Sequence, residues 1–121
     1  MITNSTGTGN VAVGRSALQN NTSGSNHAAF GTQALQANTT GTENSAFGLY
    51  SLLSNTTGSS NAAFGRGALQ SNTTASNNTA VGYQAGYTNS TGAYNTFVGY
   101  QAGYLSAPSP NGFNAVFGSR A

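Results

Sequence analysis

The stretch NTTGTENSAFG at residues 38–48 returns seventeen residues later as NTTGSSNAAFG at residues 55–65. The same beat runs through the chain. A glycine that follows a small-plus-apolar pair recurs at Gly14, Gly31, Gly48, Gly65, Gly82, Gly99 and Gly118, at five intervals of 17 residues and one of 19. An asparagine opens each preceding turn, at Asn4, Asn21, Asn38, Asn55, Asn72 and Asn89. A second asparagine column sits four before the glycine, at Asn10, Asn44, Asn61, Asn78, Asn95 and Asn114, with His27 in its place in the second copy. The unit reads N-T/S-T/S-G-x-x-N-x-A-F/V-G-x-x-A-L/G-x-x. A fixed short period of this kind marks a chain built of stacked, nearly equivalent coils.

A period of 17 is too short for paired-helix repeats, which need ~33 residues or more. Helix propensity is also poor, because Gly, Asn, Thr and Ser recur every few residues. The pattern predicts two short β-segments per unit, one over N-x-A-F/V and one over x-x-A-L-x. Glycine turns the corners, and Asn and Thr side chains bond the local backbone. Successive coils then stack at ~4.8 Å, which aligns like side chains into hydrogen-bonded ladders. The expected fold is all-β: a parallel β-solenoid or β-roll of about seven 17-residue rungs. It forms one repeat domain over residues 1–121, read as an excerpt of a longer fibre. The repeats fall near 4–20, 21–37, 38–54, 55–71, 72–88, 89–107 and 108–121. The two extra residues of the last interval lie around Pro108 and Pro110 and are read as a loop bulging from the stack.

Composition sets the next constraint. Ala, Gly, Asn, Thr and Ser make up 82 of 121 residues, whereas Leu, Ile, Val and Phe supply only 19. The large residues fall in two columns. One holds Val13, Phe30, Phe47, Phe64, Val81, Val98 and Phe117; the other holds Leu18, Leu35, Leu52 and Leu69 and then changes to Gly86 and Gly103. That is a thin interior for a lone coil, because one buried Phe or Leu returns only ~1.5–3 kcal/mol. A homotrimer sharing its core, with the Phe and Val column near the axis, is the expected solution. Both columns are therefore assigned to core and trimer packing.

The charged residues are Arg15, Arg66, Arg120 and Glu43 alone, with no Lys, Asp or Cys and a single His. One carboxylate cannot form the acid–base pair of a glycosidase. One His and one Glu cannot ligate a metal within a single chain. No enzyme activity and no cofactor are expected. Three scattered arginines do not make a nucleic-acid surface, and no apolar run is long enough to cross a bilayer as a helix.

NSAFG at Asn44, NAAFG at Asn61, NTAVG at Asn78 and NTFVG at Asn95 resemble the YadA-like, or hep/hag-type, head repeats of trimeric autotransporter adhesins. Similar arrays occur in trimeric fibres of phages and bacteria. The resemblance covers nearly the whole chain. It implies a trimeric left-handed parallel β-roll or related β-solenoid displayed at the cell surface or on a phage fibre, with a structural or adhesive role. The unit here is longer than the usual head repeat, and Phe and Ala stand in for many aliphatic residues.

The candidate contact residues are Tyr83, Gln84, Tyr87, Tyr100, Gln101 and Tyr104, from two copies of GYQAGY. One reading makes them an aromatic platform for a cell-surface glycan. The other makes them packing between subunits, with Tyr compensating for the loss of Leu at Gly86 and Gly103. His27 is read as an imperfect repeat, against a metal or anion site where three copies converge. Arg15, Arg66 and Glu43 are read as solvated charges, against contacts to acidic glycans. N-x-S/T recurs at Asn4, Asn20, Asn21, Asn38, Asn55, Asn72, Asn77 and Asn89, and turn chemistry accounts for it. The Pro108 to Pro110 loop is a secondary binding candidate. The alternatives in function are a pure spacer, or a monomeric ice-binding solenoid presenting Thr39, Thr40, Thr56, Thr57, Thr73 and Thr74.

Overall fold

The computed structural model describes residues 6–105 and 112–120. The segment before each repeated glycine forms one three-residue strand: β1 Val11–Val13, β2 Ala28–Phe30, β3 Ser45–Phe47, β4 Ala62–Phe64, β5 Thr79–Val81, β6 Thr96–Val98 and β7 Ala115–Phe117. They pair in chain order as one parallel sheet, and equivalent residues face each other, Ala29 with Ala46 and Phe47 with Phe64. The chain is therefore an all-β parallel β-solenoid of about six turns, with no helix among the described residues. Parallel pairing follows from the period: each strand is reached only after a full circuit, so it runs the same way as the last.

The glycine that ends each strand is required by its backbone, and in the first six copies by contact as well. Its φ lies between +113° and +137° in all seven copies, a region closed to other residues. A Cβ on Gly48 would also stand 2.7 Å from the carbonyl carbon and oxygen of Gly65. Successive corners thus touch backbone to backbone.

The second predicted strand does not form. The segment x-x-A-L-x is a run of tight turns, closed by Ala34 N–H to Gly31 C=O at 3.2 Å and Asn38 N–H to Leu35 C=O at 3.2 Å. Leu18, Leu35, Leu52 and Leu69 adopt φ of +49° to +53°. β-propensity does not anticipate a left-handed leucine. The conformation costs roughly 1–2 kcal/mol, offset by burying the whole side chain. These turns still bond from rung to rung, as in Leu52 N–H to Ala68 C=O at 3.0 Å and Gln84 N–H to Arg66 C=O at 2.8 Å.

The interior is lined by the middle residue of each strand and by the turn opposite. Ala29, Ala46, Ala63 and Ala80 are fully buried, as are Ala34, Ala68, Ala85 and the four leucines. The Phe and Val column lies outside the coil's own interior. Val13, Phe30, Phe64, Val81 and Phe117 are 36–65% exposed, and Phe47 and Val98 are half-buried. A 17-residue circuit leaves room for Ala against Leu and no more.

One exchange in the interior replaces two leucines and an alanine with a single large ring. Phe97 replaces the strand alanine in β6 and is fully buried, while Gly86 and Gly103 replace the leucines around it. A Cβ on Gly86 would stand 2.6 Å from Phe97 Cδ2, and one on Gly103 would collide with the same ring. The lost leucines are thus compensated from inside by Phe97, which corrects the expectation that the neighbouring tyrosines do so.

Both asparagine columns are buried and bonded. Nδ2 of Asn38, Asn55 and Asn72 donates to Oδ1 of the asparagine one turn earlier at 2.8–2.9 Å. The same amides hold the carbonyls of Gly41, Gly58 and Ala75 at 2.9–3.1 Å. In the second column, Oδ1 of Asn44, Asn61 and Asn78 accepts the backbone N–H of the next copy at 2.8–3.0 Å. Their Nδ2 atoms donate to Gly58, Ala75 and Gly92 carbonyls at 2.8–2.9 Å. The interior amides thereby supply most of the hydrogen bonding of the narrow coil, with Asn89 Oδ1 and Asn95 Nδ2 left without a partner among the described residues near the end of the ladders.

Candidate functional site

The surface is organised in columns, because residues seventeen apart lie one rung apart. The most continuous apolar column is Val13, Phe30, Phe47, Phe64, Val81, Val98 and Phe117, on the outer face of the sheet. Phe30, Phe47 and Phe64 stack ring on ring with centroids 4.8 and 5.0 Å apart and planes within 9°. Beside this column the outer face carries Val11, half exposed, and then only small residues: Ala28, Ser45, Ala62, Thr79, Thr96 and Ala115. The result is an apolar ridge along the rod with no charged residue in the strands. An exposed apolar patch of this continuity marks an interaction surface.

The six residues proposed from the GYQAGY copies separate into two groups. Tyr83 and Tyr100 occupy the corner directly after the glycine and stack on each other at 5.3 Å. Arg66 Cζ sits 6.0 Å from the Tyr83 ring centroid, a cation–π distance. Gln84 and Gln101 begin the next side. Gln101 Nε2 donates to Gln84 Oε1 at 2.8 Å. Tyr87 shares that side, since a Cβ on Gly67 would touch both Gln84 and Tyr87. Tyr104 stacks on Tyr87 at 5.0 Å. Within each pair the tyrosines turn one ring face toward each other. The Arg66 guanidinium lies over the Tyr83 ring, so on that column ring edges and the outer face of Tyr100 remain for a ligand. Among the described residues no cavity opens beside them.

No family model, curated protein or solved structure matches this chain. What the surface does is derived from its own residues.

His27 is 2% exposed and occupies an asparagine's place. Its Nδ1 accepts the Asn44 N–H at 3.2 Å, and its backbone N–H donates to Asn10 Oδ1 at 2.9 Å. With Nδ1 accepting, the neutral ring carries its proton on Nε2 and donates it to the Gly41 backbone, the place taken by the amide Nδ2 in the other copies. Burial lowers its pKa below 6.5, with the Gly41 and Asn44 backbone groups pulling the other way. The ring reproduces the amide's pattern and is consumed by it.

The remaining candidates are peripheral. Arg15 and Arg66 are exposed, and Glu43 Oε2 accepts the Ser60 hydroxyl at 3.3 Å. Thr39, Thr56 and Thr73 donate their hydroxyls to the next rung's carbonyl at 3.1 Å, while Thr40, Thr57 and Thr74 are exposed. Half of the hydroxyl face suggested for ice is thus committed to backbone. Asn20 and Asn77 are exposed, whereas Asn21, Asn38, Asn55, Asn72 and Asn89 are buried in the ladder, closed to modification in the folded state. Asn4 and the Pro108 to Pro110 loop lie outside the described residues. Sequence reasoning missed the Tyr94–Phe113 stack, at 5.1 Å. The 19-residue last interval hid that equivalence.

Proposed function

We propose that this chain is a structural and adhesive segment of a trimeric fibre displayed at a cell surface or on a phage, without catalytic activity. The observation that carries the proposal is the exposed Val13-to-Phe117 ridge. A single coil leaves Phe30 and Phe64 36% and 42% exposed although its interior is otherwise closed. Three chains related by a threefold axis seal three such ridges against one another, which removes the apolar surface from water. The rest of each rod then faces outward and repeats its contacts from rung to rung. Weak binding to a cell-surface glycan or protein receptor, through groups such as Tyr100 and Gln101, gains strength by multivalency.

The test is the solution mass by light scattering. Three 12.1 kDa chains per particle are expected, and a stable folded monomer at micromolar concentration overturns the reading. Phe47→Asp supplies the second arm. It places a charge on the ridge and leaves the coil's own interior untouched, so the trimer should dissociate while the β-rich far-UV spectrum persists.

A further inference from the structure

Four of the six tyrosines meet in two pairs on adjacent turns. Tyr83 and Tyr100 have centroids 5.3 Å apart and planes 11° apart; Tyr87 and Tyr104 have centroids 5.0 Å apart and planes 27° apart. Each pair lies in one column of a parallel, in-register stack, so both phenols leave the backbone at equivalent positions on consecutive rungs. Tyr83 and Tyr100 are 36% and 53% exposed, within reach of a small oxidant. The other two tyrosines have no such partner. Tyr94 stacks on Phe113, a ring without a hydroxyl, and the column neighbours of Tyr50 are Gln33 and Gly67.

The chain also lacks the side chains that would intercept an oxidant. Cysteine and methionine are common sites of oxidation. Here there is no Cys and no Trp, the single Met is residue 1, and His27 is buried.

We infer that Tyr83–Tyr100 and Tyr87–Tyr104 are sites of dityrosine formation, covalent staples between neighbouring turns made by a one-electron phenol oxidant. Each phenol gives the oxidant one electron and loses its hydroxyl proton. The two radicals join through the ring carbons next to the oxygens. The hydrogen on each joining carbon then leaves as the phenol is rebuilt with a proton on oxygen. The net change per staple is one new carbon–carbon bond and the loss of two hydrogens, as two electrons and two protons. Holding the partners in contact makes the coupling step intramolecular and oriented. The stack therefore favours coupling within a pair over coupling between chains.

The experiment irradiates the full chain with a ruthenium tris-bipyridyl photosensitiser, with persulfate as the electron acceptor, which is reduced to sulfate. It is run on folded protein and in urea. Dityrosine fluorescence at least about tenfold higher in the folded sample is expected from the proximity effect. On a denaturing gel the product should remain a single chain. Tandem mass spectrometry of the tryptic fragment from Gly67 to Arg120 should locate the links at 83–100 and 87–104. The double variant Tyr100→Phe, Tyr104→Phe keeps the stacked rings and should lose the fluorescence with an unchanged far-UV spectrum. Equal yield in urea overturns the inference. So do predominantly interchain products, links through Tyr50 or Tyr94, or fluorescence surviving in the double variant.

Discussion

Replacing Gly48 with Ala tests the corner on which the stack depends. The new methyl would lie 2.7 Å from the Gly65 carbonyl carbon and oxygen and 3.0 Å from Arg66 N, all backbone atoms that cannot rotate aside. Gly48 also has φ +133°, where a side chain costs roughly 1–3 kcal/mol by conformation alone. Relieving the contact moves the two corners apart and stretches the bonds that cross between them, Gly65 N–H to Phe47 C=O at 2.8 Å and Gly67 N–H to Leu49 C=O at 2.9 Å. Each is worth about 1 kcal/mol net. The expected loss is about 3–5 kcal/mol. Gly118→Ala is the internal control. Its φ of +113° carries the same kind of conformational cost, but a Cβ there meets nothing within 4 Å. That variant should lose only the roughly 1–3 kcal/mol of conformation. Urea unfolding followed by far-UV circular dichroism measures both, with the loss read from the midpoint and slope. If the two variants unfold at the same urea concentration, backbone contact between corners is not what holds the turns together.

Three further outcomes follow from the interior. Phe97→Ala empties the space between Gly86 and Gly103 and should cost about 3–5 kcal/mol; adding Gly86→Leu and Gly103→Leu, which restores the pattern of the earlier turns, should recover most of it in the same urea assay. Asn55→Ala removes the donor from Asn38 Oδ1 and the Gly58 carbonyl. At about 1–3 kcal/mol for each orphaned acceptor, it should lower the thermal midpoint more than Asn20→Ala on the surface. His27 has its pKa lowered on folding. The unfolded chain therefore binds the proton first, so stability is full above pH 6.5 and falls below it, by at most about 1.4 kcal/mol per pH unit for one proton. His27→Asn should flatten that part of the urea-midpoint profile; an unchanged profile would show that another group titrates.

The stack itself was legible in the sequence because equivalent residues carry equivalent duties. Gly14 through Gly118 mark the corners, and Asn38, Asn55 and Asn72 recur where a buried amide must meet its copy. The direction of the strand was harder to read. Burial usually favours the larger side chain, so Phe47 looks more like interior than Ala46. The short circuit reverses this by leaving space only for the methyl. The second strand was misread for a local reason, since Leu35 and Leu52 suit a strand by composition and their left-handed backbone leaves no mark in the residue type. The tyrosine pairs were visible from their spacing. That Tyr83 and Gln84 belong to different sides was not, because a single corner dihedral separates them.

A column of equal parts has a hazard of its own. A chain that skips one circuit while folding, looping out seventeen residues, still sets asparagine on asparagine and glycine on glycine. Most turns would accept the mistake. The turn with Phe97 would not, because its ring needs an absent side chain both in its own circuit and in the one before, and only Gly86 and Gly103 provide that. Set one circuit earlier, the ring would meet Leu69 in place of a glycine. The exchange of two leucines for one phenylalanine thus works as a bookmark: it tells otherwise interchangeable circuits which of them are neighbours.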